Sequence, residues 1–131
     1  MKKFKKYIVF SLVSLLVISC GNNLVHEDSV DMKSGKMIFE GKVYSGEVAE
    51  TRKGKITNID VYEDGIKNGF KRYYRDSNEQ SDIEINGKTY KISDEPETVV
   101  TSTKLEQYFE DGSLKVTGSV RWENNKMIRI G

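Results

Sequence analysis

One thiol, one imidazole and a set of carboxylates are what this 131-residue chain offers to chemistry. Cys20 is its sole cysteine, so no disulfide within the chain can help to hold the fold. The sole histidine, His26, stands beside Glu27 and Asp28, a grouping that a rigid frame could turn into a metal or proton-transfer site. Its surroundings, residues 21–34, hold few large apolar side chains and no convincing period, so His26 is expected in a solvated linker that cannot fix ligands. The stretch DSNEQSDIEING, 76–87, begins like a calcium-binding loop with Asp76 and Asn78. It then places Ser81 where that loop needs glycine and Gly87 where it needs a bidentate glutamate. Asp94, Glu95 and Glu97 surround the only proline, Pro96, and read as a solvated loop at a strand boundary. No phosphate-binding glycine loop, nucleophile elbow or paired metal motif is present. The chain is therefore expected to be no enzyme and to carry no cofactor or metal. The one catalytic route left open, a small hydrolase of envelope glycans, needs two carboxylates facing each other in a concave pocket, which spacing alone cannot reveal.

The flanks of Cys20 give that residue a different use. Lys2, Lys3, Lys5 and Lys6 precede the uncharged run YIVFSLVSLLVIS, which is short for a bilayer-spanning helix and has the basic head and apolar body of a secretory signal. Val17-Ile18-Ser19-Cys20 resembles the lipobox of bacterial lipoproteins. That resemblance implies cleavage before Cys20, a diacylglyceryl group on its sulfur and acylation of the new amino terminus. Two or three chains, at about 0.8 kcal/mol per buried methylene, anchor a protein to a membrane without spanning it. Gly21 stands where lipoproteins kept in an inner membrane usually carry Asp. The resemblance thus implies the bacterial cell envelope, and the outer membrane where there are two.

Removing residues 1–19 takes four lysines and no acid, so 21 basic against 20 acidic residues becomes 17 against 20, a net charge of −3. A weakly acidic domain lacks the concentrated basic face that nucleic-acid binding needs. The expected organisation is a signal peptide over 1–19, a lipidated flexible tether over 20–35, and a single β-domain over 36–131.

Within 36–131 the chain repeats itself. FEGK at 39, YEDG at 62, FEDG at 109 and WENN at 122 each join an aromatic residue to Glu and then to small turn-forming residues. Gly46 and Gly69 lie seven residues beyond the first two aromatics, and Gly118 and Gly131 nine beyond the last two. Asp64-Gly65, Asn68-Gly69, Asn86-Gly87 and Asp111-Gly112 are Asx-Gly pairs suited to tight hairpin turns. Between them run short period-two segments, around Ile56–Val61, Ile83–Ile85, Tyr90–Ile92 and Leu114–Val116. The fold class expected is all-β, an antiparallel meander of repeated hairpins. The aromatics Phe39, Tyr62, Phe109 and Trp122 are expected to stack along one core face.

FEGKVYSGEV, VYEDGIKNGFKRYYRD and YFEDGSLKVTGSV resemble MORN-type repeats in the variant found in YwqK-type bacterial antitoxins and in envelope lipoproteins. The resemblance covers most of 36–131 and weakens over 76–107, where the broken period suggests an inserted hairpin. It implies a repeat sheet serving as a non-catalytic binding or scaffold module. The alternative it implies is an antitoxin or immunity protein that neutralises a toxin by occupying its surface. Either way the partners would be a membrane, through lipid on Cys20, and a protein. Tyr73 and Tyr74 should point to opposite faces of a strand, which exposes one of them beside Arg72 and Arg75 as a contact surface.

Overall fold

The computed structural model describes residues 24–74 and 79–131. Within them lie thirteen strands, here β1 (Leu24–His26), β2 (Val30–Lys33), β3 (Lys36–Phe39), β4 (Lys42–Val43), β5 (Gly46–Arg52), β6 (Lys55–Glu63), β7 (Ile66–Tyr73), β8 (Gln80–Ile85), β9 (Lys88–Ser93), β10 (Pro96–Val100), β11 (Lys104–Tyr108), β12 (Leu114–Glu123) and β13 (Lys126–Arg129). One 3-10 turn, Glu27–Ser29, joins β1 to β2. The signal peptide, Cys20, Arg75, Asp76 and Asn78 lie outside the described residues.

The protein is an all-β array of mostly antiparallel hairpins. Its main sheet runs in the order β13-β12-β11-β10-β7-β6-β9-β8, with β5 on the other edge of β6 and β1 beyond β5; a second sheet holds β2-β3-β4. Six two-residue connections have both residues at positive φ: 34–35, 40–41, 53–54, 64–65, 86–87 and 124–125. Such turns twist as the flanking strands do, so each keeps two neighbours in register. The β8–β9 hairpin interrupts the meander. The chain leaves β7, makes β8 and β9, and returns as β10 beside β7, while β9 touches β6 through a single parallel pair, Lys91 with Lys55. The period breaks over 76–107 because this hairpin occupies it.

Three expectations need correction. Residues 24–34, read as part of a tether, are built into the fold: Leu24–His26 pair in parallel with Glu47–Ala49 of β5, and Val30–Lys33 pair with Lys36–Phe39. The apolar side chains there are few, but Leu24, Val25 and Val30 all pack on core residues. Asn68-Gly69 is no turn but lies inside β7, where Gly69 pairs with Val61. A Cβ on Gly69 would stand 2.8 Å from the Val100 carbonyl oxygen, so close approach of β10 requires the glycine. The four repeat aromatics form no single ladder either. Phe39 and Tyr62 belong to one cluster with Met37, Tyr44 and Val48, and Trp122 to another with Val100, Leu105 and Val120. Phe109 is half exposed beneath the Lys115 ammonium, 5.6 Å from its ring centre.

The third cluster, Ala49, Ile56, Ile59, Ile85 and Tyr90, packs β5 and β6 against the inserted β8–β9 hairpin. The two sheets meet at the Asp64-Gly65 turn. Gly65 O accepts from Met37 N and Gly65 N donates to Tyr44 O, both at 2.8 Å. With φ at +81°, a side chain on Gly65 is strained, and its Cβ would stand 2.9 Å from both Lys36 Cβ and Val43 Cγ1. Gly54 has nearly the same φ, +79°, with nothing within 4 Å. Gly54→Ala should therefore cost only the left-handed backbone penalty, about 1–2 kcal/mol, and Gly65→Ala roughly 2 kcal/mol more from overpacking. Denaturant unfolding of the two variants side by side measures the difference.

Candidate binding cleft

Register places six residues in a straight line on one face of the main sheet: Val48, Asp60, Phe70, Val100, Leu105 and Gly118. All are apolar or small except Asp60. The next line on the same face is Glu50, Asn58, Arg72, Thr98, Gln107 and Val116, polar in all but its last member. Alternation along each strand sets the residues of both lines on this face. A polar row thus lies directly beside an apolar one.

Two bulges shape the polar row. On β6, Thr57 is extra, since Glu50 pairs with Asn58 and Thr51 with Ile56. On β10, Glu97 is extra, since Pro96 pairs with Tyr73 and Thr98 with Arg72. A bulge bends its strand and re-aims its side chain. Thr57 and Glu97 join Glu50, Arg52, Asn58, Arg72, Tyr73 and Tyr74 in lining a concave cleft of about 380 Å³. Thr98, next in the row, is 3% exposed and its hydroxyl has no hydrogen-bond partner among the described residues.

The cleft's electrostatics begin beneath it. Asp60 is 5% exposed; its Oδ1 receives no hydrogen bond among the described residues, its charge being met by an ion pair with Lys67 Nζ at 3.3 Å. The Glu50 carboxyl shares a hydrogen bond with Asp60. That bond, with burial and the nearby charges of Asp60 and Glu27, pushes Glu50 up to about 7 against a smaller opposing pull from Lys67. Near neutrality Glu50 is therefore part acid and part carboxylate. Tyr62, behind the pair, is pushed up to about 12 by burial and then by the Asp60 and Glu50 charges.

Three of the expected contact residues meet here. Arg72 is exposed, its guanidinium carbon 5.6 Å from the Phe70 ring centre. Neither tyrosine is fully exposed, contrary to expectation. Tyr73 is half-buried against the Ala49–Ile59 cluster, and its hydroxyl is pushed up to about 12 by burial, then by Glu47. Tyr74 is also half-buried and donates its hydroxyl to the Tyr108 carbonyl at 2.6 Å, which ties the end of β7 to β11. Its ring, not its hydroxyl, is what it offers the cleft. Spacing gave no sign of Glu50, Arg52, Thr57 or Asn58; the period-two pattern around Ile56 marks only the strand of Thr57 and Asn58, while the bulge that gathers the four has no sequence signature.

The acids near Pro96 part company. Glu97 enters the cleft, Asp94 accepts from Ser81 Oγ at 2.5 Å, and Glu95 lies against Gly112. His26 is not in a solvated linker. Its ring stacks on Tyr90 at 5.4 Å, Nε2 is 2.9 Å from Thr51 Oγ1, and Nδ1 accepts from Asp28 N at 3.0 Å. Among the described residues no group of three or more His, Cys, Asp or Glu side chains is placed to hold a metal ion.

The Glu50 shift has a measurable sign. A carboxyl raised from 4.5 in the unfolded chain to about 7 stabilises the fold below the unfolded value and loses that contribution as pH rises through the folded one. Stability should fall between pH 5 and pH 8 in the wild type. Glu50→Gln, which keeps a donor toward Asp60, should flatten that slope and gain about 1 kcal/mol at pH 8, the shift being discounted for partial solvent screening. Urea unfolding at the two pH values reads both effects.

No family model matches this chain, and no curated protein or solved structure is significantly similar to it. The repeat resemblance rests on the residues quoted for it.

Proposed function

We propose that this protein is an envelope lipoprotein, anchored by lipid on Cys20, whose array of MORN-like repeats binds a protein partner without catalysis. The observation that carries the binding role is the polar row enclosed by two bulges. It offers two carboxyls, Glu50 and Glu97, and two guanidiniums, Arg52 and Arg72, with Asn58 and Thr57 between them. Groups of both signs, with amide and hydroxyl partners, suit an extended polypeptide that brings its own charges and main-chain groups. Arg72, spread over the Phe70 ring, is a suitable anchor because part of its contact area is already ordered.

Two variants and one control test the parts separately. Cys20→Ser should abolish incorporation of a fatty-acid analogue and release the protein from the membrane fraction; unchanged labelling defeats the anchor. Arg72→Glu should lower capture of the partner from envelope extracts by tenfold or more, on the usual scale of a charged anchor. Lys115→Glu, on the remote β11–β12 hairpin, should leave capture unchanged. Equal capture by all three proteins defeats the cleft.

One observation favours a second reading. Glu50, an acid held at about 7, and Glu97 line the same concave cleft, as the two carboxyls of a glycan hydrolase share one. Release of reducing ends from envelope glycans, lost in Glu97→Gln, would establish it; no release by the wild type removes it.

A further inference from the structure

Among the terminal strands of the main sheet, two carry opposite charge. One is β8, QSDIEI, with two acids and no cation; the other is β13, KMIR, with two cations and no acid. Among the described residues no strand pairs with the outer edge of either.

Hairpin geometry shows which groups face outward. In a two-residue hairpin the residues flanking the turn exchange hydrogen bonds, and alternate pairs beyond them do the same. For β8 and β9 those pairs are Ile85 with Lys88, Ile83 with Tyr90 and Ser81 with Ile92. The main-chain N–H and C=O groups of Asp82 and Glu84 therefore point away from the sheet. For β12 and β13 the bonded pairs are Glu123 with Lys126 and Arg121 with Ile128, which turns the main chain of Met127 and Arg129 outward.

Each edge is also half-finished in its side chains. Ile83 on β8, and Met127 and Ile128 on β13, are half-buried, so a further strand would cover apolar surface at either end. Asp82, Glu84, Lys126 and Arg129 are exposed. Asp82 already meets Lys91 at 2.6 Å, and Arg129 Nε donates to the Gly131 carbonyl at 3.4 Å, while Glu84 and Lys126 are the least committed of the four.

In an antiparallel pairing, residues whose main chains face outward stand opposite one another. Two β8 strands then set Asp82 and Glu84 against each other, and like charges across a strand pair are destabilising. When β13 of one copy lies beside β8 of the next, Arg129 stands opposite Asp82 or Glu84 instead. We infer that the protein associates with itself head to tail, β13 of one copy extending the sheet of another at β8. Such a contact uses two different surfaces, so nothing in it stops at two copies; it grows into an open chain.

The test uses the full chain in nonionic detergent at low ionic strength, followed by sedimentation velocity over a range of concentrations. The expected result is a mass that rises with concentration without a plateau and falls on adding salt. Glu84→Lys and Arg129→Glu should each weaken association about tenfold. Mixed in equal amounts they should restore it, because each variant then supplies the complement of the other's altered edge. A protein that stays monomeric, stops at a dimer, or associates equally well after either reversal overturns the inference. So does a mixture of the two variants that fails to recover.

Discussion

The joint on which this architecture depends is the seat of the Asp64-Gly65 turn between β3 and the segment that follows β4. Three main-chain bonds pass through it: Met37 N to Gly65 O, Gly65 N to Tyr44 O and Tyr44 N to Met37 O. Ser45 Oγ accepts from Asp64 N at 2.8 Å from the other side. Two residues further on, the Asn125 side chain accepts from Lys67 N at 2.8 Å and donates to Gly35 O at 3.1 Å. One turn and one asparagine thus bind the N-terminal three-stranded sheet, the central hairpin and the C-terminal hairpin. Glycine is needed there for backbone sign and for space together, and the Met37–Tyr44–Val48–Tyr62 cluster closes behind it.

With that joint made, the apolar line on the face next to it cannot be continuous. It begins at Val48, in the cluster behind the turn, and ends among Phe70, Val100 and Leu105, in the cluster of the C-terminal hairpins. Asp60 stands between the two. Its charge, 5% exposed, would be costly alone, and Lys67 and the Glu50 carboxyl offset that cost. The perturbed acid at the cleft is thus a consequence of how two small cores are kept apart on one sheet face.

Hairpins were legible because their signals are local. Asp64-Gly65 and Asn86-Gly87 turn where the Asx-Gly rule places them, and the period-two segments around Ile56, Ile83, Tyr90 and Leu114 all lie in strands. Asn68-Gly69 misled because the same dipeptide serves a close strand approach, and only the position of Val100 distinguishes the two uses. Lys53-Gly54 went unread for the opposite reason: lysine at positive φ carries no Asx signature. Of the cleft, Arg72 and the tyrosine pair stood out by composition. Glu50, Asn58 and Glu97 did not, since cross-strand register and two bulges, both non-local, bring them together. His26 was misjudged because its partners Thr51 and Tyr90 are remote in sequence.

The placement of the bulges explains why the polar row opens to solvent while the apolar row beside it does not. Both lie at the same end of the β6–β7–β10 strip, near the close of β5 and the start of β10 at Pro96, and at each the partner strand steps past one residue that it leaves unpaired. The proline contributes directly, since it gives no N–H to the ladder and suits the first residue of a strand. Toward the other end of the same strip, Gly69 admits the Val100 carbonyl and the strands close up. One strip of sheet is therefore loosened at its polar end and tightened at its apolar end. That gradient allows a 15.0 kDa chain with three small cores to present a shaped polar surface without a large interior behind it.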